Sequence, residues 1–152
     1  MFSQAFQTAI KSGNAYSWFN ATYDSDALDT VLTVCNDHTG GQNLHIERVD
    51  FSADTASQYV VHLPTYATWA GTAVTGTNLN ANSSNVAVAT AKGDETGQAT
   101  RGTVIGNGSI LASGESQNWM YVTLGYHKAI GVDIVAAATG TLVTIWGYYS
   151  TS

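Results

Sequence analysis

The sequence reads as an all-β protein, a β-sandwich or jelly roll of about eight to ten strands in one domain. Three observations lead there. Runs rich in Val, Ile, Thr, Tyr, Phe and Trp recur along the chain, and such residues fit a pleated, half-buried surface. Turn signals built from Gly, Asn, Asp and Ser separate these runs about every 8 to 12 residues. The chain has 152 residues, enough for one real core, and no repeat or linker divides it.

Residues 1–14 are the exception to the β texture and form an N-terminal arm or short helix. Phe2, Phe6 and Ile10 recur every fourth residue, with Ala5 and Ala9 beside them, and Ser12-Gly13-Asn14 breaks the pattern. So short a helix is marginal alone. It either lies on its own domain or docks on a neighbour. If it is an arm, removing residues 1–12 should leave the domain folded.

Residues 15–152 form the sandwich. "AYSWFNATYD" alternates, "SDALD" turns, and "TVLTVCN" is apolar on both parities, as in a strand covered on both faces. In "LHIERVDF" the apolar phase changes between Ile46 and Val49, which predicts a bulge near Glu47-Arg48. "QYVVHL" stops at Pro64, the single proline. "TVIGNGSIL", "QNWMYVTL", "AIGVDIVAA" and "LVTIWGYYS" are further strands, the last two joined by "TGT" as a hairpin turn.

Residues 71–97, "GTAVTGTNLNANSSNVAVATAKGDETG", stand apart. They hold no aromatic residue, and their large aliphatics are only Val74, Leu79, Val86 and Val88. The segment reads as two short strands, around Thr77–Asn80 and Val86–Ala89, joined by an Asn-Ser turn. As a projecting hairpin it could rest on another subunit by strand addition; an ordinary edge hairpin fits the same residues.

Charged residues are 11% of the chain, against roughly 25% in an average soluble protein. Polarity comes from 20 Thr, 13 Ser and 10 Asn. Such a surface is inexpensive to desolvate against other protein. With a net charge of −6 and five Lys plus Arg, neither nucleic acid nor an anionic membrane is an expected partner. No run approaches the roughly 20 apolar residues of a membrane span, and no secretory signal is read at the N-terminus. Cys35, the single cysteine, sits in an apolar run and reads as a buried, inert thiol.

Catalytic chemistry has little to build on. His45 and Glu47 lie two apart on a strand and share a face, which suits a metal or acid-base pair, or equally a polar pair near Arg48. Asp24, Asp26 and Asp29 resemble a fragment of a calcium loop but lack its spacing and terminal Glu; an acidic turn is the plainer reading. Gly102 to Gly108 carries no phosphate-loop ending, and no Gly-x-Ser-x-Gly occurs. Trp18, Trp69, Trp119 and Trp146 would suit sugar stacking or core and interface packing. No enzyme activity, cofactor or metal is expected.

The runs "NLHIERVDFSADTA", "HLPTYATWAGTAVTGTNLNANSSNVAVATAKGDETG" and "AIGVDIVAAATGTLVTIWGYY" resemble small β-rich structural proteins of tailed bacteriophages. The likeness spans residues 15 to 150 and transfers no active residue. It implies a virion protein of the capsid cement (decoration) type, a sandwich or jelly roll sitting as a dimer or trimer where major capsid subunits meet. The expectation is a homotrimer on the capsid surface, made in the host cytoplasm and contacting itself and the major capsid protein. Phe2, Phe6 and Ile10 would anchor its arm, with Leu79, Val86, Val88 and Trp69 as further contacts. The alternative is a tail or head-fibre module that binds host glycan through exposed aromatics.

Overall fold

The computed structural model describes residues 1–20, 23–25, 29–95 and 101–151. One helix, α1 (Gln4–Ser12), precedes strands β1 (Ala15–Phe19), β2 (Tyr23–Ser25), β3 (Thr30–Asn36), β4 (Asn43–Ala53), β5 (Ser57–Leu63) and β6 (Thr72–Val74). Then come β7 (Thr77–Asn78), β8 (Ala89–Glu95), β9 (Thr103–Ile110), β10 (Gly114–Leu124), β11 (Ala129–Ile134) and β12 (Ala138–Ser150). They form two antiparallel sheets packed as a sandwich, in the orders β10-β4-β12-β1-β7 and β6-β8-β3-β11-β5-β9, with β2 also pairing β12. The strand segments outnumber the expected eight to ten because β2, β6 and β7 are only two or three residues long.

The core lies between the sheets. Trp18, Tyr16, Leu32, Val34, Leu44, Ile46, Val49, Phe51, Val132 and Ile145 are all buried in one cluster. β3 and β11 are buried at every position, as the two-faced reading of "TVLTVCN" requires. Part of their outer cover is the chain after β5, whose Trp69 packs on Cys35 and Ala129. The bulge expected at Glu47-Arg48 is present, since β4 shifts register against β12 between Trp146 and Gly147.

Two expectations are corrected. "TGT" is no hairpin turn: β11 and β12 belong to different sheets, and Gly140 lies within β12 at φ +60°. Nor do Thr77–Asn80 and Val86–Ala89 pair with each other. β7 pairs with β1, whereas β8 pairs with β3 and β6. Between them the chain passes from one sheet to the other, so hydrogen bonding to existing strands outweighs a local hairpin.

The pale segment is small so that it can close over one flank. Gly76 sits beside both the Trp18 indole and Ala87, where an added Cβ would lie 2.5 Å from Nε1 and 2.7 Å from the Ala87 Cβ. Ser83 similarly occupies the space beside Gly13, the φ +74° residue that ends α1. The asparagines supply donors to carbonyls at that helix end, which have no partner within the helix. Asn78 Nδ2 donates to Gly13 O (2.9 Å), Asn80 Nδ2 to Lys11 O (3.0 Å) and Asn85 Nδ2 to Gly13 O (3.2 Å). Replacing Asn78 by Ala should cost about 1–2 kcal/mol and speed amide exchange in the last turn of α1. Unaltered exchange there would remove this role.

Candidate functional site

Most residues expected to meet a neighbour serve the chain's own core instead. Phe6 is 0% exposed, and Phe2, Ile10 and Leu79 are partly buried with it against Trp146 and Tyr148. Phe2 stacks on Phe6 (ring centroids 4.4 Å apart) and meets Trp119 edge-on at 5.1 Å. Residues 1–12 therefore form a docked helix and not a free arm, because their apolar stripe finds its cover at home. Ser3 fixes the helix start: its Oγ accepts Phe6 N–H, while its own N–H and hydroxyl donate to Glu47 at 3.0 and 2.6 Å. Trp69, 6% exposed, is also corrected from contact residue to core. Val86 and Val88 remain exposed, at 77% and 41%.

His45 and Glu47 do not converge. The bulge separates them, and His45 bonds Thr123 Oγ1 (3.0 Å) and Ser150 Oγ (3.1 Å) while Glu47 holds Ser3. The acidic stretch Asp24 to Asp26 lies outside the residues whose side chains are described. Among the described residues no group of three or more His, Cys, Asp and Glu could hold a metal.

A buried polar network went unread in the sequence. Asp133 accepts from Thr30 Oγ1 (2.7 Å), His62 Nε2 (2.8 Å) and Arg101 Nε (3.0 Å). Gly102 N–H donates to His62 Nδ1 at 3.3 Å, so both ring nitrogens are engaged. That pattern puts the ring proton on Nε2. Gly131 leaves the ring its space, since a Cβ there would sit 3.0 Å from Nε2. His62 and Asp133 have no solvent exposure and offer no nitrogen or oxygen to a substrate from outside. The signal was present: an Asp inside "AIGVDIVAA" and a His inside "YVVHL" are polar residues in apolar strands.

Cys35 is fully buried, and burial, assisted by Asp37, pushes its thiol up to about 12 from the usual 9.0. A raised value favours the folded state below the unfolded value of about 9, and that contribution is lost as pH rises toward about 12. Burial likewise raises Tyr149. Stability should therefore decline through alkaline pH, and a thiol reagent at pH 7 should label the chain only on unfolding. Rapid labelling of the folded protein would contradict this.

What lies on the surface falls into two groups. Loops after β3, β5 and β10 meet at one end of the sandwich. There His127 stacks with Tyr126 (3.7 Å between centroids) and Tyr66 (4.0 Å), and its Nε2 is 3.8 Å from Asp37. His127 sits at φ +57°, held by its N–H to Asn36 O at 2.8 Å. Beside it is a groove of about 610 Å³ lined by Leu63, Tyr66, Thr103, Thr123 and Lys128.

The second group runs along one flank, where the consecutive strands β9 and β10 end their respective sheets. Val104, Leu111, Trp119 and Tyr121 are exposed there, Leu111 at 82% and Tyr121 at 71%. Inside this flank Tyr59 Oη bonds Ser116 Oγ and Asn118 Nδ2, each at 2.7 Å. Gly106 and Gly108 give way to Met120 and Tyr59, which would collide with any Cβ. The inner gap is closed, whereas the outer edges are left bare. Nothing in "QNWMYVTL" reveals this, because an edge strand and an inner strand share the same alternation. Compared with protein-family models, curated proteins and solved structures, the chain matches none.

Proposed function

We propose that the chain is a structural virion protein, a homo-oligomeric capsid cement (decoration) protein that bridges neighbouring major capsid subunits on the outside of a phage head. The observation that carries this is the flank of β9 and β10: two long sheet edges, nearly free of charge, flanked by exposed apolar side chains. Such edges and patches find protein partners. The low overall charge and the resemblance to phage structural proteins point the same way.

The eight longer strands other than β8, stripped of short additions, lie in the orders β1-β12-β4-β10 and β3-β11-β5-β9. Numbered consecutively, they follow the two-sheet order of a jelly roll, which supports that reading of the sandwich. Jelly rolls serve in viral capsids and in lectins, so the surface and not the fold favours one use.

Purified chain should pellet with empty phage heads and release in proportion to competing unlabelled chain. Chain that stays wholly in the supernatant would overturn the cement reading. The aromatic stack at Tyr66, His127 and Tyr126 keeps one alternative, a tail or head-fibre module that binds host glycan. It expects saturable fluorescence change on glycan titration; the cement reading expects none.

A further inference from the structure

We propose that β9 and β10 are where two copies of this chain join, edge to edge about a two-fold axis, each sheet continuing into its counterpart. The inference rests on the homo-oligomer reading above and names its contact.

The two flanks of the sandwich are treated differently. On one, the sheets end in β6 and β7, three and two residues long. Very short edge strands are a standard defence against unwanted pairing. On the other, they end in β9 and β10, eight and eleven residues long. These contain no Pro, Lys or Arg, and Glu115 is their single charge. Each has a register shift against its inner neighbour, near Ile105 in β9 and at Met120-Tyr121 in β10. Regular ladder therefore remains at Gly106–Ile110 and Gly114–Trp119, the halves beside the connecting turn.

An unpaired edge specifies its occupant: an extended strand whose N–H and C=O groups alternate in step. A second copy supplies both strands at once, since its own β9 and β10 edges lie on one flank at the same spacing. Antiparallel pairing of β10 with itself, centred on Gln117, sets Gln117 opposite its own counterpart and each Glu115 opposite Trp119 of the other copy, all on the outer face. Parallel pairing would set the two carboxylates side by side, which is destabilising. Trp119 and Tyr121 then flank the seam, and Leu111 caps the turn end. A net charge of −6 discourages contact over the remaining surface.

Both bare edges lie on one flank, so each copy has a single adhesive side. A closed ring of three needs two different sides on every copy, whereas a two-fold pair uses one side twice. The expectation of a trimer thus gives way to a dimer.

Sedimentation equilibrium of the full chain tests this, with Gln117→Lys/Ser109→Lys as the variant and Val86→Lys as control. Wild type and control should weigh twice the chain mass, and the double lysine variant should dissociate at least tenfold more readily with unchanged circular dichroism. If that variant misfolds, Asn107→Lys/Glu115→Lys, both exposed and within the two stretches, serves in its place. A wild-type monomer at every concentration would overturn the oligomer reading along with this one. An oligomer indifferent to both lysine pairs would leave that reading standing and sink the edge assignment, and a trimer would sink the two-fold geometry.

Discussion

Asp133→Ala should lower folding stability by about 3–5 kcal/mol, the usual effect of removing one partner from a buried charge network. Three donors would lose their acceptor together: Thr30 Oγ1 and His62 inside the second sheet, and Arg101 reaching in from the residues before β9. Arg101 is 34% exposed and can recover water, so most of the loss comes from His62 and Thr30. For a chain of this length the melting midpoint should fall by roughly 10 °C or more. Asp133→Asn, which keeps an acceptor oxygen in the same space, should cost less. A midpoint within about 2 °C of wild type for the alanine variant would mean the network adds nothing.

The second large effect concerns α1. Phe6→Ala should destabilise by about 3–5 kcal/mol, as expected for a fully buried aromatic replaced by a methyl group. Removing residues 1–12 should cost at least as much, because it uncovers Ala15, Leu79, Trp146 and Tyr148 and leaves Glu47 buried without Ser3. A truncated chain that melts at the wild-type temperature would restore the free arm that the sequence alone allowed.

The contrast between these two sites shows what could be read in advance. Alternation in "AYSWFNATYD" and the doubly apolar "TVLTVCN" disclosed strands and their burial, since side-chain period and hydrophobicity are local properties. The Phe2-Phe6-Ile10 stripe disclosed a helix as well, but not which surface would cover it. That cover comes from Leu79, Trp146 and Tyr148, with Glu47 holding Ser3 from 44 residues away, long-range contacts without a local signature. The pale segment misled for a related reason. Its small residues suggested a projecting hairpin, yet smallness is what lets Gly76 lie against Trp18 and Ala87, and Ser83 against Gly13. "TGT" carried a good turn composition and lies inside β12, because strand pairing with the other sheet overrode it.

The bare flank was the least legible feature. Whether Trp119 and Tyr121 face a neighbouring strand or solvent depends on sheet order, and sheet order here follows from connections that cross the sandwich repeatedly. Residues chosen by composition, such as Trp69 and Phe6, proved internal. Val86 and Val88 stayed exposed, but the larger exposed side chains Leu111, Trp119 and Tyr121 emerge only from the topology.

Amide exchange along Gly106–Ile110 and Gly114–Trp119 probes the claim that these edges are built to be covered by polypeptide. In concentrated solution the outward amides of both stretches should exchange nearly as slowly as those of the inner strands β4 and β5, and should quicken on dilution. Free exchange at solvent rates, unchanged from dilute to concentrated chain, would contradict it.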